Sequence, residues 1–420
     1  MSSQYDVVIN SYGISSVLVS SYLSERGLKV FLVDKNPIRV IKAKDFTLYP
    51  YEIPLLGLNA KEYSSDLMSF FGLSGFNKLL KSEDESIGIV FRDIKIDFKL
   101  PYIKEDVRRQ FGQEELVKLS KLIDEIKSRS EKSFIGGIRH KMSYNGINKL
   151  YKKYDIDVKL TGVINALLFV LTGVASRNYK LTEASRVLTL ALSGIGITES
   201  NSYSIRHSLL NIHRPNVDTG NGEDLKNLIQ IPLTIDDTDS IKVDFIDNFE
   251  RFKGQHSDGV MYPLSLYVKL SSEFISTAMP QFVVFVDADR SDYFEFGDVY
   301  VIRSWTTGDK TDIRVTSFVP FGLFDVDSEQ HKSKIKKMRN IMESLIPNLK
   351  IDRAEYYADL DFANLSYGDI VYDESILGKV NAEKKDSFLC GREQRALSGF
   401  EGSVISGIDV AQKILRKMKK

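Results

Sequence analysis

Apolar and polar positions at the N-terminus follow a strand, helix, strand order. Residues 6–9 are apolar and strand-like, residues 13–25 repeat apolar positions at the helical period, and residues 29–34 form a second apolar run. Gly27 lies between the helix and the second run, where a glycine commonly ends a helix. The pattern predicts a β-α-β unit of about 30 residues, with parallel strands and a right-handed crossover.

The middle of the chain changes from helical to strand-like spacing. Helical spacing dominates from about residue 105 to residue 193, in the segments 114–127, 146–154, 158–172 and 181–192. Strand-like runs follow at residues 241–245, 282–286, 299–302 and 313–319. Residues 218–222 are expected to break the chain, and residues 305–310 are expected to form a turn between strands. Further helices are predicted at residues 223–229, 333–345 and 402–417.

The chain of 420 residues is longer than a single hydrophobic core usually grows. We therefore divide it into a discontinuous scaffold domain (residues 1–100, 205–250 and 380–420), a helical subdomain (residues 101–204) and a β-rich subdomain (residues 251–379). The predicted fold class is α/β. It combines a Rossmann-type domain with an inserted helical subdomain and a β-rich part.

The turn after the first strand keeps one of the three glycines of a dinucleotide-binding turn. Ser11, Gly13 and Ser16 occupy the three places. Gly13 still lets the backbone approach a pyrophosphate, and Ser16 is small enough for close packing of helix and strand. Asp34 stands about 20 residues further on, where a carboxylate accepts the ribose hydroxyls, although it could equally be a solvated strand end.

With Gly27 and the sequence Lys35-Asn36-Pro37, this unit resembles the opening of a flavoprotein clan. The clan includes amine oxidases, phytoene desaturases, and the Rab GDP-dissociation inhibitors and escort proteins. Residues 214–222 resemble its second glycine segment, and residues 387–391 and 402–407 resemble its C-terminal flavin segment. The resemblance implies the clan's fold, in which the N-terminus of the last helix faces the cofactor.

The resemblance also implies FAD as a candidate cofactor. If FAD is bound, its contacts fall on Ser11, Gly13, Ser16, Asp34, Gly391, Glu393, Gly402 and Ser403. Flavin-binding members carry a glycine pair shortly after the Asn-Pro, whereas residues 38–44 contain no glycine here. The alternative is therefore that no cofactor is bound.

Residues 148–155 and 161–167 are similar to the helical domain of the dissociation inhibitors. That resemblance implies a protein without catalytic residues, which grips a small GTPase and receives its prenyl chain in the helical domain. Ile38 and Arg39 replace the tyrosine pair of the GTPase-gripping face. Candidates for lining a lipid groove are Gly162, Ala166, Leu167 and Val187, although apolar residues of this kind also fill ordinary cores.

Two functional hypotheses follow from these resemblances. The first is a noncatalytic protein, similar to the dissociation inhibitors, that binds a prenylated protein or an isoprenoid. The second is an FAD-dependent oxidoreductase of the amine oxidase or phytoene desaturase type, acting on an apolar substrate. The cofactor would perform the chemistry of the second, so sequence identifies no catalytic side chain for it.

Composition and charge narrow the choice of partners. Lysine plus arginine equals aspartate plus glutamate, at 57 each, so the overall charge gives no reason to expect nucleic acid. The five histidines lack metal-ligand spacing, and the segment Asp236–Asp239 is expected to be a solvated loop. The single cysteine, Cys390, is expected at a buried strand end in a reducing compartment. Without a signal peptide or a long apolar run, we expect a cytoplasmic protein with no transmembrane segment.

Overall fold

The computed structural model of the chain describes residues 5–9, 14–34, 41–43, 46–48, 54, 83–135, 146–176, 178–197, 216–221, 234–237, 260–275, 280–288, 296–320, 329–346, 355–359, 371–373, 387–390 and 399–418. Its strands are β1 (Val7–Ile9), β2 (Val30–Asp34), β3 (Ile41–Ala43), β4 (Phe46–Leu48), β5 (Glu83–Glu85), β6 (Ile87–Phe91), β7 (Ile94–Asp97), β8 (Val174–Ala175), β9 (Ile195–Ile197), β10 (Val217–Asn221), β11 (Thr234–Asp237), β12 (Val260–Ser271), β13 (Phe282–Val286), β14 (Val299–Thr307), β15 (Lys310–Pro320), β16 (Glu355–Asp359), β17 (Val371–Asp373) and β18 (Ser387–Cys390).

The helices in the same residues are α1 (Ile14–Ser24), α2 (Tyr102–Phe111), α3 (Gln113–Ile135), α4 (Asn148–Tyr154), α5 (Val158–Thr172), α6 (Leu181–Leu192), α7 (Glu329–Leu345) and α8 (Gly399–Met418). The bounds of α5 and α6 are those predicted from the helical spacing. Within this part of the chain, no helix combines the length and the apolar character needed to cross a bilayer.

A five-stranded parallel sheet contains the predicted β-α-β unit. Its strand order is β10-β2-β1-β11-β18, and each neighbouring pair runs parallel. The apolar residues of β1 and the first four residues of β2 are buried, as expected for a parallel sheet covered on both faces. The predicted strand, helix and strand at the N-terminus are confirmed.

Two segments predicted as turns or loops are strands of this sheet instead. Residues 218–222 were expected to break the chain, but residues 218–221 belong to β10, which pairs with β2. Asp236 and Asp237, expected in a solvated loop, pair with Leu389 and Cys390. Backbone pairing with neighbouring strands outweighs the weak strand propensity of glycine and aspartate. The predicted helix at residues 223–229 and strand at 241–245 lie outside the described residues.

A second sheet of nine strands forms the β-rich part. Its order is β7-β6-β13-β14-β15-β12-β17-β8, and β16 also pairs with β12. Strands β12, β14 and β15 are long and antiparallel, whereas β6 joins β13 in parallel. Strands β6 and β7 therefore pair outside the five-stranded sheet, although the sequence division places residues 1–100 in the scaffold. The three-part division itself stays a prediction.

One apolar core joins the helical region to this second sheet. Helices α2 to α6 and strands β6, β13 and β14 all contribute buried residues to it. Phe169 of α5 meets Phe318 of β15 edge to face, with ring centroids 5.1 Å apart. On the opposite face of the sheet, α7 buries Met338, Ile341 and Met342 against β12, β14 and β15. The sheet is therefore covered by helices on both faces.

A carboxylate on α3 ties this helix to α4 within the helical region. Glu125 accepts hydrogen bonds from Lys153 at 2.5 Å, from the Tyr154 hydroxyl, and from Arg129 Nε at 3.0 Å. The hydrogen bond from Lys153, followed by that from Tyr154, lowers the pKa of Glu125 from 4.5 to about 2. The ionised form is therefore favoured in the folded protein.

We expect Glu125→Gln to lower the free energy of unfolding at pH 7 by about 1–2 kcal/mol. Because folding depresses this pKa, its contribution is complete above pH 4.5 and is lost as the pH falls toward 2. The difference between wild type and variant should therefore narrow below pH 4.5 in urea denaturation. Glu114→Gln on the same helix is the control, since Glu114 is 87% exposed. If the difference in free energy of unfolding between wild type and Glu125→Gln does not change with pH, the stabilisation does not come from the ionised carboxylate.

Candidate functional site

The candidate site lies at the carboxyl edge of the five-stranded sheet. From β1 the chain passes to β2 and then β10 on one side, and it returns to β11 and β18 on the other. The order therefore reverses between β1 and β11. In open parallel sheets, the crevice at this reversal is where nucleotide ligands bind.

Asp34 occupies the end of β2 that faces this edge. It is the last residue of the strand and pairs in register with Asn221 of β10. The position next to β1 is the one expected for a carboxylate that accepts ribose hydroxyls. Contact with a ribose stays a prediction.

Ser16 packs α1 against the last strand of the sheet. Its hydroxyl lies 3.9 Å from the Cys390 sulfur, and both residues are fully buried. Ser20 and Ser21 donate hydrogen bonds to the Val17 carbonyl, so these buried hydroxyls are satisfied within the helix. Ser16 therefore acts as the small packing residue that the sequence predicts. The predicted burial of Cys390 at a strand end is also confirmed.

Helix α8 packs across α1 at Gly407. A Cβ atom at this position would lie 3.3 Å from Val19 Cγ2 and 3.4 Å from the Ser15 carbonyl oxygen. Side chains from both helices and from β1 and β2 complete a small apolar core around this contact. The close approach of α1 and α8 thus depends on the missing side chain.

Helix α8 starts earlier than predicted. The sequence places its first residue at Gly402, whereas the helix begins at Gly399. Gly402 and Ser403 therefore lie inside the helix rather than at its start. The unpaired N–H groups of a helix belong to its first residues, so those nearest a ligand would precede Gly402.

The described residues include half of the predicted cofactor contacts. Ser16, Asp34, Gly402 and Ser403 are among them, and the structure brings Ser16 to the end of β18 and Asp34 to the end of β2. The remaining predicted contacts, Ser11, Gly13, Gly391 and Glu393, lie outside the described residues. The assignment of FAD contacts stays a prediction.

A β-hairpin follows β2, near the place where flavin-binding members of the clan carry their glycine pair. Strands β3 and β4 pair antiparallel, and Phe46 and Leu48 pack against Tyr267 of the second sheet. The rings of Phe46 and Tyr357 lie 5.8 Å apart, and Lys269 Nζ is 5.1 Å from the Phe46 ring centroid. This segment therefore presents side chains and a contact with the second sheet, which sequence analysis missed.

All four candidates for a lipid groove are buried in the apolar core. Gly162, Ala166 and Leu167 lie on α5, and Val187 lies on α6, which packs beside it. Their burial fits a core as well as the interior of a site that opens when a hydrocarbon enters. A groove at these positions stays a prediction.

The other residues considered from the sequence, His331 and Trp305, lie in secondary structure. His331 is buried and hydrogen-bonded to the Tyr262 hydroxyl, while the other four histidines lie outside the described residues. Trp305, expected in a turn, belongs instead to β14, because the turn is confined to Gly308 and Asp309. Among the side chains the structure describes, no three histidine, cysteine, aspartate or glutamate residues gather as metal ligands.

No model of a known protein family matches the sequence, and no curated protein is detectably similar to it. Solved structures do match the fold along nearly the whole chain. A triple mutant of putrescine oxidase, made in a redesign of its cofactor binding, has a TM-score of 0.57 at 10% identity and covers 99% of both chains. Cyclohexylamine oxidase from Brevibacterium oxydans has a TM-score of 0.56 at 10% identity and covers both chains completely.

The Rab GDI from Plasmodium falciparum has a TM-score of 0.54 at 11% identity, covering 99% of this chain and 98% of its own. The chain therefore has the fold common to these amine oxidases and the GDI, as the resemblance predicted. At this level of identity the comparison shows the fold and does not choose between the two kinds of function.

We expect Gly407→Leu to lower the free energy of unfolding by about 1–3 kcal/mol, because the new side chain meets Val19 and the Ser15 carbonyl. Arg416→Leu is the control, since it places the same side chain at an exposed position of α8. Guanidinium denaturation of both variants measures the difference. Equal stability of Gly407→Leu and wild type would show that α1 and α8 can move apart at this contact without a loss of stability.

Proposed function

We propose that the protein is a noncatalytic binding protein similar to the Rab GDP-dissociation inhibitors. In this proposal its helical region takes up the lipid of a prenylated protein, or a free isoprenoid. The observation that carries the proposal is the continuous apolar core that runs from α3, α5 and α6 into the second sheet. A long hydrocarbon needs such an apolar environment and few polar anchors.

Helix α5 is the centre of this core. Eleven of its fifteen residues are buried, including every residue from Ala166 to Thr172. Gly162 has no side chain and Ala166 has only a methyl group, so little side-chain volume separates this helix from its neighbours at these two positions. Separation of α5 from α6 would expose an apolar channel at these small residues, and an incoming prenyl chain would cover the same surface again.

Two features of the scaffold favour a role without a flavin. The hairpin of β3 and β4 carries side chains close to where flavin-binding members of the clan have bare glycines. Helix α8 begins at Gly399, so Gly402 and Ser403 do not supply its free N-terminal amides. The first feature places side chains where a pyrophosphate would otherwise meet bare backbone, and the second removes Gly402 and Ser403 from the predicted amide contacts.

The partner in this proposal is a prenylated protein, such as a small GTPase, and the cellular site is the cytoplasm. One solved structure of similar fold is a Rab GDI, which supports the kind of partner. The tyrosine pair that grips the GTPase in that family is replaced by Ile38 and Arg39. Binding of the lipid is therefore the more general part of the proposal. Recognition of a small GTPase as the protein attached to that lipid is the more specific part.

We expect Ala166→Leu to weaken binding of a dansyl-labelled farnesyl peptide at least about tenfold, because the added atoms occupy the channel. Fluorescence titration of the purified protein measures the affinity. Gly162→Ala, a smaller change in the same helix, should weaken the affinity for the peptide less. It serves as the second test variant if Ala166→Leu does not fold.

Val158→Leu is the matched control, because Val158 begins the same helix and is 54% exposed. Thermal unfolding establishes that each variant is folded before titration. A folded Ala166→Leu variant with wild-type affinity would overturn the groove, and a wild-type protein that ignores the peptide would overturn the proposal.

A second function is favoured by the strand order of the parallel sheet. The order β10-β2-β1-β11-β18 is that of a dinucleotide-binding domain, with Asp34 at the expected strand end. This observation supports an FAD-dependent oxidoreductase that acts on an apolar substrate. Bound FAD would supply the redox chemistry, and the carboxylate of Asp34 would hold its ribose.

If this second function is correct, the purified protein binds FAD, and its absorption spectrum shows oxidised flavin. We then expect Gly13→Trp to abolish binding, because a large side chain fills the place where the backbone approaches the pyrophosphate. Val117→Trp, on the exposed surface of α3, should keep the flavin. Stoichiometric flavin in Gly13→Trp would reject the assignment of this turn, and a colourless wild type that ignores added FAD would reject the oxidoreductase.

A further inference from the structure

Helix α7 carries an excess of positive charge on the outer side of the second sheet. It buries Met338, Ile341 and Met342 against the strands, on the face opposite the helical region. Two glutamates on this helix are outnumbered by five lysine and arginine residues. The basic residues are Lys332, Lys334, Lys336, Lys337 and Arg339. This surface takes no part in the lipid region or in the parallel sheet.

Three of these basic side chains are committed to partners within the protein. Lys332 donates a hydrogen bond of 3.0 Å to the glutamate one turn earlier on the helix. Lys337 Nζ lies 2.8 Å from a carboxylate oxygen of Asp287, and Lys334 donates to the Gly297 carbonyl. These three side chains therefore have no role in the site described below.

Arg339 and Lys336 differ from the other three. Within the part of the chain that the structure describes, neither side chain makes a hydrogen bond, and the Nε atom of Arg339 is buried without a partner. A carboxylate oxygen of Glu343 lies 4.0 Å from Nε, which is too far for a hydrogen bond. The Arg339 side chain as a whole is 42% exposed, so the rest of its guanidinium group is accessible to a ligand.

An aromatic ring holds the guanidinium group of Arg339 in place. Its Cζ atom lies 4.2 Å from the ring centroid of Tyr356 on β16. Tyr356 is opposite Val268 of β12, whose side chain belongs to the core that α7 covers, so the ring stands on the α7 side of the sheet. The N–H donors of a guanidinium group lie in its plane, and stacking on a ring leaves them free to bind an anion.

Two unsatisfied polar groups therefore belong to residues in contact. The Tyr356 hydroxyl, like Arg339 Nε, is buried without a hydrogen-bond partner. Buried polar groups in this condition are uncommon and costly, and a bound ligand is one explanation for them. Glu343 offsets little of the arginine charge, because exposed pairs four residues apart on a helix interact weakly.

Lys336 adds a second positive charge beside this guanidinium group. It is exposed and lies three residues before Arg339, a spacing that makes two helical residues neighbours on the surface. A fixed planar fork next to a mobile ammonium group suits an anion with several oxygens. Phosphate groups fit this description, because they accept paired hydrogen bonds from arginine and attract lysine as a point charge.

We propose that Arg339 and Lys336 form a binding site for a phosphate group on the outer side of α7. Tyr356 is a positioning residue in this site, because its ring fixes the orientation of the arginine. The phosphate group belongs either to a lipid headgroup or to a free phosphate compound. The site is independent of the proposed lipid-binding function and of FAD, because it lies on the opposite face of the second sheet from the helical region.

Two ligands test the proposal and separate the sources of the phosphate group. The full-length protein is titrated with inorganic pyrophosphate by calorimetry at constant ionic strength. It is also sedimented with phosphatidylcholine vesicles that contain phosphatidic acid, and pure phosphatidylcholine vesicles are the reference. Binding of pyrophosphate alone assigns the site to free phosphate compounds, and binding of the phosphatidic acid vesicles alone assigns it to lipid headgroups. Binding of both shows that the phosphate group itself is recognised.

We expect Arg339→Gln to weaken whichever ligand binds at least about tenfold, because it removes the charged fork. Arg339→Lys keeps the charge without the fork and should give an intermediate affinity. Lys336→Gln should also weaken binding, and it removes no hydrogen bond to the described residues. Arg108→Gln is the matched control, since it makes the same change at an exposed position of α2. Thermal unfolding without ligand shows which variants are folded.

Three results would overturn the proposal. If the wild type binds neither pyrophosphate nor the phosphatidic acid vesicles, α7 has no phosphate site. If folded Arg339→Gln and Lys336→Gln both bind like wild type, the phosphate group binds elsewhere. If Arg108→Gln weakens binding as much as Arg339→Gln, the ligand responds to the total charge of the protein rather than to this site.

Discussion

The structure depends on burial of apolar side chains between the helical region and the nine-stranded sheet. Helix α5 has almost no polar surface of its own, so it is stable only when other elements surround it. The sheet supplies one side of that enclosure through residues such as Phe318, and α6 supplies another. Because α7 covers the opposite face, the long strands β12, β14 and β15 are fixed from both sides. Side chains on these strands are therefore carried by elements that are packed on both faces.

The sequence predicts the elements whose apolar spacing is regular, and it fails where pairing overrides local preference. Helices α5 and α6 have their predicted bounds, because α6 repeats apolar positions at the helical period and α5 is a long apolar run between Asp157 and Gly173. Strands β10 and β11 contain glycine and aspartate, which are typical of turns, and only their parallel neighbours make them strands. The long strand β12 was not predicted, and it contains Pro263, which is unusual in a central strand.

Only part of the candidate site could likewise be predicted from the sequence. Ser16 and Asp34 could be located from sequence, because the spacing of a β-α-β unit fixes where a small residue and a terminal carboxylate fall. The contact of the β3–β4 hairpin with Tyr267 could not, since more than two hundred positions separate these residues and only the fold brings Phe46 and Leu48 to the second sheet. The start of α8 was also misplaced, although Ser398 and Glu401 have the sequence spacing of a capping box and could have indicated a start at Gly399.

The hairpin turn between β14 and β15 has a consequence for evolution of this surface. Only Gly308 and Asp309 separate the two strands, and the positive φ of Gly308 (64°) is of the kind that tight hairpin turns use. The length of this turn sets which residues oppose each other along the whole hairpin. A one-residue insertion there would shift one strand relative to the other and carry the side chains of the shifted strand to the opposite face. Which side chains face the helical region and which face α7 is thus set by two loop residues that lie outside both strands.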